Sequence, residues 1–534
     1  PAFIRGHPRP ISSQDAAERG WTRLQNRFQV FFPAFIRGHP RPISSQDADE
    51  RGWTRLQNRF QVFFPAFIRG HPRPINFLVA LFLLGALFLV ASLSLATPDQ
   101  RLARLLAQAG VTVPTNPPAP SAALVQLGEA LFWDPELSGN RDTACATCHH
   151  PQAATGDNLS ISIGTGGTGL AENRVKPEHQ RRELVPRNAT PLFNLGYTEW
   201  TVFFWDGRVF STEHGFDTPA SDRLPAGLDN LLAAQAMFPV TSRDEMRGLR
   251  GDKDIFGQPN ELAMIPDYTA RPIWAAIMQR LLSIPGYVEL FQAAYPAVPL
   301  EQLGFQHAAN ALSAYQNVTF TFEDSPFDRY LHGDHSALSA QAKRGALLFY
   351  GEAGCATCHA GPLLTDLKFY NLAVPQIGPG KGREQPFDLG RARETGNDCD
   401  RYAFRTAPLR NVALTGPWMH NGAFTSLAAV IRHHVQPAAS LQNYAVAQLA
   451  PDLQDTCLDQ PAVIAAILTT QSSSASEGFP LTEAQLADLL AFLDALTSPS
   501  ALDLAHTIPT AVPSGLAVGG NIQNITTETQ RTQR

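Results

Sequence analysis

The chain lacks most of the features that would place it in a class at once. It has no surplus of positive charge: 42 lysines and arginines face 48 acids, for a net charge of −6. That leaves no electrostatic footprint for nucleic acid. Charged residues make up only 17% and apolar residues 44%, an ordinary balance for a folded protein rather than a disordered one. Alternating strand patterns are scarce, which argues against an all-β body. Methionine is rare, five residues with none before Met237, and there are only six cysteines.

What is present divides the 534 residues into unequal parts. Residues 1–75 hold a tandem repeat: the stretch from Pro1 to Phe32 recurs at Pro33 with one change, Ala17 to Asp49, and begins again at Pro65. Two copies and a stub are too few for a solenoid to bury a core, so the segment reads as duplicated sequence without a function of its own. Residues 76–96 contain the uncharged run FLVALFLLGALFLVASLSLA. Its length suits a membrane anchor, and Ser94 and Ala96 suit a cleavable export signal. Both readings place the body outside the cytoplasm, in the periplasm, soluble or tethered to the inner membrane. A proline-rich linker follows. Helical periodicity then recurs at 124–133, 273–282, 304–313, 339–348, 426–434 and 483–495, so the body is expected to be mainly α. The stretch 498–534, rich in Thr, Pro, Gly and Gln, reads as a tail trailing over the surface or disordered.

The chemistry is announced by CATCHH at Cys145 and CATCHA at Cys355. In each, two thiols three positions apart can add to the two vinyl groups of one porphyrin, and the next residue, His149 or His359, is delivered to the iron. Zinc or a redox disulfide would use the cysteines but would leave the repeated histidine unexplained. Cys145, Cys148, Cys355 and Cys358 are therefore read as attachment points for two haem c groups. Cys399 and Cys457 remain, and a disulfide between them stays open.

Four stretches around these motifs, RNATPLFNLGYTEWTVFFWDGR from Arg187, QAMFPVTSRDEM from Gln235, FRTAPLRNVALTGPWMHNGAF from Phe404 and LTEAQLADLLAFLDALT from Leu481, closely resemble the bacterial diheme cytochrome c peroxidase family, which includes MauG. The resemblance implies two cytochrome c-like helical domains, 97–330 with the peroxide haem and 331–497 with the electron-entry haem. It also implies a calcium ion between them. It gives Glu245 the part of distal acid, Gln235 that of distal amide, and Trp205 that of an aromatic relay between the haems. Asn188, with the backbone carbonyls of Thr415 and Pro417, takes the calcium site, and His420 falls near the interhaem region. A pocket carboxylate suits peroxide cleavage because it can take a proton from one oxygen and return it to the departing one. Outside the resemblance, Glu245 reads as a surface carboxylate, Trp205 as core and Asn188 as a turn residue.

The chain departs from the family pattern twice. Sixteen positions beyond His149, where many members carry a blocking histidine, stands Thr165, a poor iron ligand, so that haem is expected to stay open. His179 is an alternative blocker, and as a loop residue it reads more simply as solvated. Fourteen positions beyond His420, where family peroxidases carry methionine and MauG-like members tyrosine, stands His434 in AAVIRHHV. Helical spacing puts His434 on the face of Leu427, Val430 and Ile431, and His433 off it. His434 is thus expected as sixth ligand of the His359 haem, with Met419 as packing. Imidazole in place of thioether lowers the reduction potential. The combined expectation is a peroxidase that reduces hydrogen peroxide with electrons from a small cytochrome or cupredoxin. The alternatives are a MauG-like oxidase acting on a residue of a partner protein and a simple electron carrier. A homodimer remains open.

Overall fold

Two glycines set the helix crossings around which the body is built. The computed structural model describes residues 97–177, 184–473 and 477–520. The repeats, the hydrophobic run and His179 lie outside them. Among the described residues no helix is long and apolar enough to cross a membrane.

The body is mainly helical, and the helices that build its two cores and cavities are α1 (Pro98–Gln108), α2 (Ala122–Trp133), α3 (Leu231–Ala236), α4 (Arg271–Leu281), α5 (Pro285–Ala294), α6 (Phe305–Thr319), α7 (Ala340–Tyr350), α8 (Leu427–Val435) and α9 (Glu483–Asp494). In the first core, α2 crosses α6 at Gly128, where a Cβ would sit 2.0 Å from the carbonyl oxygen of Ala311. In the second, α7 crosses α9 at Gly345, where a Cβ would sit 1.9 Å from that of Asp488. Each crossing thus needs a residue without a side chain, and each precedes a CxxCH motif. Around them gather two apolar cores. Leu127, Leu131, Phe132, Ile277, Phe291 and Leu312 belong to the first. Phe327, Ala346, Phe349, Leu489 and Phe492 belong to the second.

Two segments pack away from their neighbours in sequence. Helix α1 opens with a Thr97–Gln100 capping box and places Leu102 and Leu106 in the second core, where Asp99 also pairs with Lys343 at 2.7 Å. Residues 498–520 return to the first core, burying Ala501, Leu504 and Val512 there. Ser514 Oγ donates to Asp134 at 2.7 Å, and Gly519 N donates to the Trp133 carbonyl at 2.8 Å. The expectation of a trailing or disordered tail fails over 498–520, because these apolar residues have a core to enter.

Strands are few, as the sequence suggested. An antiparallel sheet joins β1 (Val202–Phe203), β2 (Val209–Thr212) and β3 (Gly215–Asp217), with Phe203 opposite Val209. A second pair joins β4 (Phe369–Tyr370) and β5 (Phe404–Arg405), with Phe369 opposite Arg405. The two sheets meet where Arg405 N donates to the Trp205 carbonyl at 2.9 Å.

Candidate active site

Both CxxCH motifs form one tight turn, closed by His149 N on the Cys145 carbonyl and His359 N on the Cys355 carbonyl, each at 3.0 Å. The imidazole that follows is oriented the same way twice. His149 Nδ1 bonds the Thr155 carbonyl and His359 Nδ1 the Leu364 carbonyl, each at 3.2 Å. A carbonyl only accepts, so Nδ1 carries the proton and Nε2 keeps its lone pair. Burial pulls both rings down to about 4, so they are neutral at pH 7. This is the tautomer that ligates a metal through Nε2. None of the six cysteines forms a disulfide: Cys399 is exposed, and Cys457 lies half-buried beside an apolar cluster.

A cavity of about 470 Å³ opens over His149. Cys145, Cys148, Gln235, Glu245, Asn188 and Trp205 all line it. Gln235 is carried by α3, capped by Asn230. Glu245 sits in a π-helical turn, Arg243–Arg247, of the kind that often marks functional positions. That turn is held from two sides. Arg247 anchors it to the Leu262 carbonyl and to Asp267. Gly164 lets the opposite strand of chain approach so closely that a Cβ would sit 1.9 Å from the Asp244 carbonyl oxygen. Thr165 N then donates to the Glu245 carbonyl at 2.8 Å. The Thr165 hydroxyl is engaged elsewhere, on Asp142 at 2.7 Å, and Thr165 is not among the residues lining the cavity.

A second cavity, about 180 Å³, lies over His359. No acid lines it; Leu427, Val430, Ile431 and His434 of α8 form one wall. The rings of His359 and His434 lie on opposite walls with centroids 6.3 Å apart and planes tilted by 54°. With haem bound in this cavity, these two imidazoles would be the residues that hold its iron. His434 Nδ1 bonds the Val430 carbonyl at 2.8 Å, leaving Nε2 as its other ring nitrogen. His433 is the more buried of the pair, at 0% exposure, yet it points away: Nε2 bonds the Leu372 carbonyl at 2.8 Å and the ring rests on Phe424. Met419 and His420 both line the cavity, and the His420 ring is stacked on Phe404 with centroids 3.4 Å apart. The thiol pairs and the Nε2 lone pairs fit a covalently held porphyrin in each cavity, the second of which has largely apolar walls.

Trp205 lines both cavities, its Nε1 donating to the Asn188 carbonyl at 3.2 Å. Asn188 is tied to the second half by its backbone N on the His420 carbonyl at 2.9 Å. Its Nδ2 donates to the Leu159 carbonyl, which leaves Oδ1 as the oxygen for a cation. Among the described residues no cluster of three His, Cys, Asp or Glu side chains stands ready for a metal.

A buried charge cluster beside Trp205 was not singled out in the sequence. Arg187 bridges Asp206 and Asp388, each at 2.6 Å, and Arg208 joins Asp206 at 2.9 Å. Lys381 reaches the first cavity from the second half of the chain. Burial, then repulsion from Arg187 and Arg208, pulls its ammonium down to about 7. Arg208 and Arg405 stood inside the quoted motifs FWDGR and FRTAPLRN, but charge type alone gave no reason to select them.

Two CxxCH turns with ligand-ready histidines, each under its own cavity in a helical body, define a two-haem c-type oxidoreductase. Comparison with known proteins agrees. The family model described as di-haem cytochrome c peroxidase matches residues 122–336. Methylamine utilization protein MauG of Methylorubrum extorquens is 34% identical over 321 residues, which is 60% of this chain and 70% of that protein. Cytochrome c551 peroxidase of Pseudomonas aeruginosa is 31% identical over 327 residues, 61% of this chain and 74% of that one. A solved MauG-like protein associated with microbial copper homeostasis superposes with a TM-score of 0.51 at 25% identity, covering 74% of this chain and 95% of its own. The chain belongs to the diheme cytochrome c peroxidase family that includes MauG.

Proposed function

We propose that this protein reduces hydrogen peroxide to water at the His149 cavity, using electrons that a small cytochrome or cupredoxin delivers at the His359 cavity. The observation that carries this reading is the division of side chains: Glu245 and Gln235 line only the first cavity, and a pair of imidazoles on opposite walls occupies only the second. When bound, haem supplies the one-electron redox chemistry and the metal site for peroxide. His149 would hold it from one side in the first cavity. His359 and His434 would hold it from both sides in the second, which limits reorganisation on electron transfer. Gln235 orients the substrate, and Glu245 takes a proton from one peroxide oxygen and returns it to the leaving one. Trp205, shared by the two walls, relays the electron. Asn188 Oδ1 with the Thr415 and Pro417 carbonyls would offer calcium neutral oxygen ligands, water completing the set. The work would take place in the periplasm, with the protein free or membrane-tethered.

A second reading, a MauG-like oxidase that uses peroxide to oxidise a residue of a partner protein, is favoured by His434 itself, since two imidazoles lower the potential of the entry haem. Stopped-flow spectroscopy of the oxidised protein with peroxide, with and without reduced cytochrome c, separates the two. Rapid donor oxidation supports the peroxidase. Oxidising equivalents that persist for many seconds beside unreacted donor support the oxidase.

A further inference from the structure

Six arginines are buried among the described residues: Arg174, Arg187, Arg247, Arg280, Arg405 and Arg410. Five have acids to balance them. Arg187 pairs with Asp206 and Asp388, Arg247 with Asp267, Arg280 with Glu261, and Arg410 with Asp328. Arg174 feels Asp142 and Asp157. Arg405 alone has no carboxylate partner among the described residues. It is 3% exposed, and its guanidinium makes two hydrogen bonds, Nε to the Phe204 carbonyl at 3.2 Å and Nη1 to the Thr406 carbonyl at 3.1 Å. Its other contacts are the faces of Trp200, at 5.1 Å, and Trp205, at 5.9 Å. Burial lowers its pKa only to about 10, so it stays charged at neutral pH.

A desolvated cation without a counter-charge is costly, a cost that a fold retains where a bound anion removes it. The position says which anion. Arg405 lines both cavities, and it lies on β5, whose backbone is tied to Trp205. A porphyrin brings its own carboxylates, and a planar guanidinium fork with unused N–H donors matches that group.

We propose that Arg405 is a shared carboxylate anchor, receiving a propionate from the haem of each cavity, and that its charge holds both reduction potentials up. The proposal rests on the two-haem reading, which haem content tests separately: a wild-type protein without two covalent haems overturns that reading, not this one alone. With two haems attached, Arg405→Gln removes a positive charge beside both groups and therefore favours the ferric state. Spectroelectrochemical titration of the holoprotein should show each haem shifted tenfold or more towards ferric, a fall of about 59 mV or more for a one-electron couple. Arg405→Lys keeps the charge and loses the fork. It should hold both potentials within threefold of wild type while moving the propionate bending bands in resonance Raman spectra. Should Arg405→Gln fail to assemble, the lysine variant decides through those bands. Either potential unmoved in Arg405→Gln, or propionate bands unchanged in Arg405→Lys, overturns the anchor.

Discussion

The two cavities begin from the same motif and end with opposite equipment. Both have a CxxC turn, a neutral histidine whose Nδ1–H is tied to a carbonyl, and Trp205 in the wall. The larger adds an acid and an amide above its histidine; the smaller adds a second histidine and no acid. A c-type attachment sequence therefore says nothing about the task of the site. The opposite wall decides whether substrate can enter and whether a proton can be moved there.

The comparison breaks most sharply at Glu245. Glu245→Gln keeps the size of the side chain and loses the proton shuttle, so the peroxide reaction should slow by about 10²-fold or more while both haems stay attached. Stopped-flow absorbance measures it, and an unchanged rate would remove the functional difference between the cavities. Next in size is His434→Ala. Removing the opposite imidazole should turn a six-coordinate, low-spin optical spectrum at the His359 haem into a high-spin or water-ligated one, and donor oxidation should slow. A spectrum that does not move would show that another ligand holds this iron.

His433→Ala sharpens the contrast between neighbours. It should leave both haem spectra intact, yet it strips the Leu372 carbonyl of its donor and opens a void, so denaturant unfolding should show a loss of about 2–4 kcal/mol. A spectral change in this variant would reverse the assignment of the two histidines. The smallest effect is expected from Thr165→Val. Its hydroxyl bonds Asp142 rather than facing the cavity, so the His149 haem spectrum should be unchanged and stability should fall by about 1 kcal/mol. An altered spectrum would place Thr165 at the iron after all.

Much of this was legible because spacing encodes it. The CxxCH turns, the helical face shared by Leu427, Val430, Ile431 and His434, and the motifs carrying Glu245, Gln235 and Trp205 all depend on short-range order. The six helices expected from periodicity recur within a few residues, except that α6 runs on to Thr319. Helix α1 was readable from its Thr97–Gln100 capping box but was overshadowed by the proline-rich stretch that follows it. The destination of 498–520 was not readable. Its composition suits a solvated tail, and only the first core, hundreds of residues earlier, gives Val512 and Leu504 a place to go. Arg405 was hidden for a related reason: what singles it out is a missing partner, which no local pattern can display.

The return of 498–520 also sets an order of events in time. Thr147, inside the first CxxCH, donates to the Gly519 carbonyl at 2.5 Å across 372 positions, and Thr143 pairs with Gly520. A chain emerging N-terminus first at roughly 5–20 residues per second presents Cys145 some 20 to 75 s before that cover exists. The second motif waits far less: Ala109, which accepts from Gly361 N just after it, has already been made, and α9 follows soon after. The first CxxCH site to appear is thus the last to be sealed, because its cover is the far end of the body and arrives only when almost all of the chain is in place.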